Sequence, residues 1–371
     1  MSDCYERLAN FFDDLPGGYP RTESGVELRI LRRLFTPEEA EITMHLALLA
    51  EETRVVARRA GLPQAQAQKL LDSLEEKRLI HCFRRPDGTP TYMAEQFVVG
   101  FWEGQVNRLD RALVEDFEEY LPHLFQPEAW QKVPQLRTIP VGESITVEHL
   151  VLDYERAEAL VNAHQRFGVA NCVCRQEMRI LGHDCGKPEE TCMAFDGAVD
   201  HYTRTGRGRE ITKEAALGLL KQAEQSGLVL QPSNDQNPVF ICMCCGCCCG
   251  VLRSIKAQPN PAQMVSSPFT ARLDADLCAS CGVCIERCQM DALEMGDMAV
   301  ELRQERCIGC GLCVTTCPTG ALTLVRKANP PAVPKNIVWL TVKLARARGK
   351  MGAGKAVMLG ARSVVDRLLA R

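Results

Sequence analysis

Apolar positions recur at helical spacing through the first hundred residues. Ile42, Leu46 and Leu49 predict a helix over 37–50, and Pro37 suits its first turn. A short helix follows over 52–60, with a turn at Gly61, Leu62 and Pro63. Leu70, Leu71 and Leu74 share one face of a longer helix over 64–78. The pattern then changes to a strand-like run, Leu79, Ile80, His81, Cys82 and Phe83. A turn at Arg85, Pro86, Asp87 and Gly88 leads to Thr91, Tyr92 and Met93. Farther on, helical stretches are expected near 153–166 and over 213–225, the second opened by Thr212 and closed by Gly227. Pro259, Asn260 and Pro261 read as one linker; Asn329, Pro330, Pro331 and Pro334 read as another. These breaks predict four parts: residues 1–110, 111–265, 266–328 and 329–371.

Helix, helix, turn, helix, hairpin is the order of a winged helix–turn–helix, and the first part resembles that superfamily. The resemblance implies binding to DNA or to protein. Its candidate recognition helix carries Lys69, Lys77 and Arg78 against Asp72, Glu75 and Glu76. Phosphate contact favours a clear positive excess, so protein interaction or dimerisation is the favoured use.

Cysteine usage changes the picture most. The chain has 371 residues and 20 cysteines, of which 18 lie between Cys172 and Cys317. Disulfide frameworks belong to short secreted chains, and no basic run followed by an apolar stretch opens this one. Reduced thiols in a cytosol are ligands for soft metals and iron–sulfur clusters. A cytoplasmic location is expected. Cys4 and Cys82 stand apart and read as structural or incidental.

Eight of the cysteines form an internal repeat. One copy reads Cys278-Ala-Ser-Cys281-Gly-Val-Cys284-Ile-Glu-Arg-Cys288, followed by Ala292 and Leu293. The other reads Cys307-Ile-Gly-Cys310-Gly-Leu-Cys313-Val-Thr-Thr-Cys317-Pro318, followed by Ala321 and Leu322. Matched positions are offset by 29. A zinc site would use paired cysteines, and the triple C-x2-C-x2-C spacing is a different pattern. The repeat resembles the bacterial two-cluster [4Fe–4S] ferredoxin family over about 60 residues. The resemblance implies two [4Fe–4S] clusters whose fourth cysteines cross between halves. Carried over position by position, one cluster takes Cys278, Cys281, Cys284 and Cys317; the other takes Cys307, Cys310, Cys313 and Cys288. One departure stands out: the family's proline after the fourth cysteine is Pro318 in one copy and Gln289 in the other.

Ten cysteines lie upstream: Cys172, Cys174, Cys185 and Cys192, then Cys242, Cys244, Cys245, Cys247, Cys248 and Cys249. His183 is the one histidine of note among them. Ten thiols could serve one further cluster, two, a larger cluster, a zinc ion or a reactive dithiol; several could equally be buried small hydrophobes. Six cysteines in eight positions exceed what packing explains, which favours at least one more metal or cluster site. Alternate members of that run point in different directions, so some are expected not to be ligands. The arrangement is similar to uncharacterised cysteine-rich iron–sulfur proteins of anaerobes, a likeness that implies no reaction.

Charge adds a basic arm. From Lys335 onward nine basic residues face one acidic residue, a net +8 against a chain total of −3, which leaves −11 elsewhere. Lys343, Arg346 and Lys350 share one face; Val357, Ala361, Val364 and Leu368 share another. This tail is expected to be helical and either packs on its own body or meets an acidic partner or peripheral membrane surface. No window is apolar enough to span a bilayer. Gly349 to Lys355 imitates a phosphate loop, but Ala356 replaces the hydroxyl that would hold magnesium.

The expected fold class is therefore multidomain α+β: a winged-helix-like domain, a cysteine-rich domain of helices and loops, a two-cluster ferredoxin-like module and a basic helical tail. The expected function is electron transfer with a redox partner protein, as a carrier or oxidoreductase subunit more than a stand-alone enzyme. Homo-oligomerisation through the N-terminal domain is a further expectation. The alternative is a redox-sensing DNA-binding regulator.

Overall fold

The computed structural model describes residues 3–125, 127–144, 152–350, 363 and 365–370. They separate into two compact units. The described residues of 1–126, 203–207 and 341–371 form the first, and those of 127–202 and 208–340 the second.

In the first unit, Thr36 starts the helix Pro37–Thr43 with a reciprocal cap: Glu39 N donates to Thr36 Oγ1, and Thr36 N to Glu39 Oε2 at 2.8 Å. The helix stops at Thr43 and does not reach 50. The chain turns there because Glu51–Glu52 (β1) must pair with Pro90–Met93 (β3), and Ala94 N donates to Ala47 O at 2.8 Å. Leu46 thus enters the core from a turn, while Leu49 is exposed. The helices Thr53–Ala60 and Gln64–Glu76 fall where the apolar spacing puts them. His81–Arg84 (β2) closes a three-stranded antiparallel sheet of order β1-β3-β2.

Aromatic side chains fill this unit's core. Phe97 lies 5.1 Å from both Tyr19 and Phe101, and Trp102 stacks on Phe117 at 4.0 Å between centroids. The buried hydroxyls are satisfied: Tyr19 donates to Glu27 O at 2.8 Å and Tyr120 to Pro20 O at 3.0 Å. The C-terminal residues pack here too. Arg59 bridges Glu51 and Asp366 at 2.9 Å each, Arg367 donates to Ala50 O, and Lys350 pairs with Asp13. Val357, Ala361 and Val364, and the stretch from Met351 to Ala356, lie outside the described residues.

The second unit corrects the expectation of a middle part built from helices and loops. It carries a five-stranded antiparallel sheet: Phe167–Asn171 (β4), Glu190–Phe195 (β5), Gly208–Ile211 (β6), Val229–Pro232 (β7) and Phe240–Cys244 (β8), in the order β6-β4-β5-β8-β7. The central strands are short and mostly buried, so they lack the polar alternation that marks a half-solvated strand. The helix Lys213–Gln225 begins as predicted, with Ala215 N donating to Thr212 Oγ1 at 3.2 Å. The 153–166 stretch is shorter than expected: a 3-10 turn, Asp153–Glu155, then the helix Ala157–Ala163.

The cysteine repeat belongs to this same unit. Phe269–Leu273 (β9) pairs antiparallel with Leu322–Arg326 (β12), and Leu293–Met295 (β10) with Val300–Leu302 (β11). Residues 134–141 strap the large sheet to the repeat. Leu136 and Ile139 bridge to Ser233 and Leu230, and Val141 N donates to Cys310 O at 3.0 Å. Buried Glu155 accepts both Arg326 terminal nitrogens, at 2.7 and 2.9 Å.

Candidate metal centres

β9 and β12 bring the two ends of the repeat together and set its loops around two cavities. The first is lined by Cys278, Cys281, Cys284 and Cys317 together with Leu273, Val300 and Leu322. The second is lined by Cys288, Cys307, Cys310 and Cys313 together with Ile308 and Leu312. Each cavity takes three cysteines from one copy and the fourth from the other.

Backbone amides point at the sulfurs. Ala271 N lies 3.3 Å from Cys307 Sγ, and Ala292 N lies 3.3 Å from Cys288 Sγ. Gly309 makes this approach possible: its φ is +69°, and a Cβ there would sit 2.1 Å from Phe269 O. Burial pushes the Cys310 thiol up to about 12, and the Cys313 thiol well above its ordinary value. Burial also raises Cys317, but amides of Leu322 and Thr319 outweigh it and leave that thiol lowered. Thiols raised like those of Cys310 and Cys313 need a bound cation to become thiolates. The donor set, the apolar lining and the inward amides fit an iron–sulfur cluster in each cavity. Cys281 of the first cavity is exposed, while Cys284 in the same cavity and Cys307 in the second are buried.

The ten upstream cysteines collect around the end of β8. Cys242 and Cys244 lie on β8 itself; Cys245 to Cys249 turn into the helix Gly250–Lys256, with Cys249 N bonded to Cys245 O. Cys192 on β5 is the cross-strand partner of Cys242, their sulfurs 3.9 Å apart. Cys172 and Cys174 open the helix Val173–Ile180. Cys185 arrives on the following loop, which is held by Gly186 N on Asp184 Oδ1 at 3.0 Å and by an Arg179–Asp184 pair at 3.4 Å. Among the described residues no cysteine is in a disulfide.

Two sets emerge. Cys185, Cys245, Cys247 and Cys248 have all four sulfurs within 4.8 Å of one another. The other six run as a string, with hydrogen bonds joining Cys172 to Cys174, Cys174 to Cys249, Cys249 to Cys244 and Cys244 to Cys242. His183 is not in the four-sulfur group. Cys4 and Cys82 belong to the first unit, and both sets belong to the second.

A residue not anticipated from the sequence lies at these sets. Arg175 is buried, donates to Met243 O at 3.0 Å and bonds Thr191 Oγ1. Burial opposes its charge, but Cys172, Cys245, Cys244 and Cys185 outweigh burial and raise its pKa. Cys245 is held well below the ordinary thiol value, through its bond from Cys248 and then the Arg175 guanidinium. The available signal was its place directly after Cys174.

The turn also touches the repeat. Gly246 N donates to Gln289 Oε1 at 2.8 Å, and a Cβ on Gly246 would sit 2.1 Å from Gln289 O. Gln289 follows Cys288, at the position where the other copy has Pro318.

No helix among the described residues is long and apolar enough to cross a membrane. No curated protein and no solved structure matches the chain. Residues 271–324 match the family described as a 4Fe-4S dicluster domain, a match that spans the cysteine repeat and implies iron–sulfur clusters there.

Proposed function

We propose that the protein carries electrons through two [4Fe–4S] clusters and holds a further metal or cluster site upstream. One cluster would be held by Cys278, Cys281, Cys284 and Cys317, the other by Cys288, Cys307, Cys310 and Cys313. When bound, each cluster supplies one-electron chemistry. The observation that carries the reading is the exchange of fourth cysteines between the two cavities.

The protein's own part is to desolvate the clusters and aim amides at their ligands, which tunes potential. Near Cys281, itself exposed, Leu277, Val283, Met295 and Met298 are exposed as well. That apolar rim supports contact with a redox partner protein there. The Gly246–Gln289 bond ties the upstream turn to the half of the repeat that carries Cys288.

Anaerobically prepared protein should contain at least about eight irons and eight sulfides and give reducible cluster signals in electron paramagnetic resonance. Cys281→Ser and Cys310→Ser should each lower that iron. Unchanged iron in both variants would remove the reading.

The regulator reading draws on the helix order and three-stranded sheet of the first unit. The charges of Gln64–Glu76 and the residues after it argue against phosphate contact. Lys77 is paired with Glu39 at 2.6 Å, and Arg78 is buried on Gly104 O and Val106 O. Protein interaction or self-association remains the favoured use of that unit. The tail's pairing of Lys350 and Arg367 within the first unit favours packing on its own body over membrane contact.

A further inference from the structure

The two kinds of cysteine set differ in spacing, and spacing distinguishes metal chemistries. A single tetrahedral ion with metal–sulfur bonds of about 2.3 Å holds its thiolates about 3.8 Å apart, the edge of that tetrahedron. A cubane presents a different iron to each cysteine, and the outward iron–sulfur bonds spread the ligands well beyond that edge. Among the described residues, no three repeat cysteines bring their sulfurs within 4.8 Å of one another; they stand around cavities instead. Cys185, Cys245, Cys247 and Cys248 meet that limit as a complete set of four, and Cys247 and Cys248 are 3.7 Å apart.

We infer that Cys185, Cys245, Cys247 and Cys248 bind one tetrahedral divalent ion of the zinc or ferrous class as a tetrathiolate. The donors are all sulfur, which selects against hard cations such as calcium and magnesium. Four ligands close the coordination sphere, so the site is structural and leaves no position for water or substrate. Buried Arg175 lies beside Cys245 and Cys185 of this set, as well as Cys172 and Cys244 outside it, and its charge partly offsets the net negative charge that four thiolates leave on a divalent ion. The ion would fasten the Cys185 loop to the turn that meets Gln289. The other six upstream cysteines stay outside this site.

This inference deepens the upstream-metal part of the proposed function and is independent of the two repeat clusters. Elemental and sulfide analysis of the full chain, purified anaerobically, tests it. The Cys185→Ser/Cys247→Ser double variant should lose one equivalent of zinc or iron and no sulfide, with the paramagnetic signals of the repeat clusters unchanged. Elemental analysis identifies which ion it is. Loss of about four irons with sulfide, or no loss of metal, overturns the inference. Should the variant fail to fold, x-ray absorption or Mössbauer spectroscopy of the unaltered protein decides. One ion with four sulfurs at about 2.3 Å and no metal neighbour supports the site, and absence of any such ion overturns it. Normal repeat signals in a protein lacking the tetrathiolate would sink this inference alone; missing repeat signals would sink the electron-transfer reading alone.

Discussion

Glu39 concentrates several jobs in one buried carboxylate. It caps its own helix through Thr36 N and accepts from Ser73 Oγ at 2.7 Å and Lys77 Nζ at 2.6 Å. Burial alone would raise its pKa, but the Lys77 bond, then Thr36 N and Ser73, outweigh it and leave the group lowered. A carboxylate with a depressed folded pKa stabilises the fold fully above its unfolded value and loses that contribution as pH falls through the folded value. The first unit should therefore weaken on acidification below the ordinary glutamate range. Glu39→Gln should cost about 1–3 kcal/mol at neutral pH and flatten that acid dependence. Denaturant unfolding at stepped pH checks it; a variant as acid-sensitive as the parent would remove Glu39 from the account.

The turn Cys245–Cys249 is the element on which the upstream chemistry depends. It leaves β8, supplies three of the four close sulfurs and rests on Gln289. Gln289 also gives the departure from the family's proline a physical use, because proline has no side-chain oxygen for Gly246 N. A methyl group at Gly246 has no room against Gln289 O, so Gly246→Ala forces a backbone shift worth about 1–3 kcal/mol. Gln289→Ala removes one hydrogen bond and should cost only about 0.5–1.5 kcal/mol. Anaerobic denaturant unfolding ranks the two. A harmless Gly246→Ala would mean the turn does not rest on the repeat.

At the scale of the molecule, the two units are stabilised differently. The first depends on one aromatic core, and Phe97 is its hub, with Tyr19, Phe101, Trp102, Phe117 and Tyr120 around it. Phe97→Ala should destabilise that unit by about 3–5 kcal/mol, because a cavity at the centre of packed rings cannot collapse. Circular dichroism during unfolding would show the shifted transition. Iron and sulfide in the second unit should hold; their joint loss would mean the units are not separately stabilised. The second unit is a small sheet and a cysteine repeat tied by hydrogen bonds and the Glu155–Arg326 pair, with metal as the expected further bond.

What the sequence determined by itself was local. Helix spacing placed Thr53–Ala60, Gln64–Glu76 and Lys213–Gln225, and turn residues placed the β2–β3 hairpin, because propensity and capping act within a few residues. The spacing of the repeat was chemically specific enough to point to two clusters. Tertiary structure decided what depends on distant partners. Pairing with β3 ended the first predicted helix at Thr43. Burial hid the central strands of the five-stranded sheet, because mostly buried strands carry little alternation to read. Among ten upstream thiols, only chain packing brought Cys185 across 60 residues to Cys245, Cys247 and Cys248 and set Arg175 beside them. Sequence spacing cannot specify such a meeting, because loop closure over that length leaves the partner open until the sheet forms.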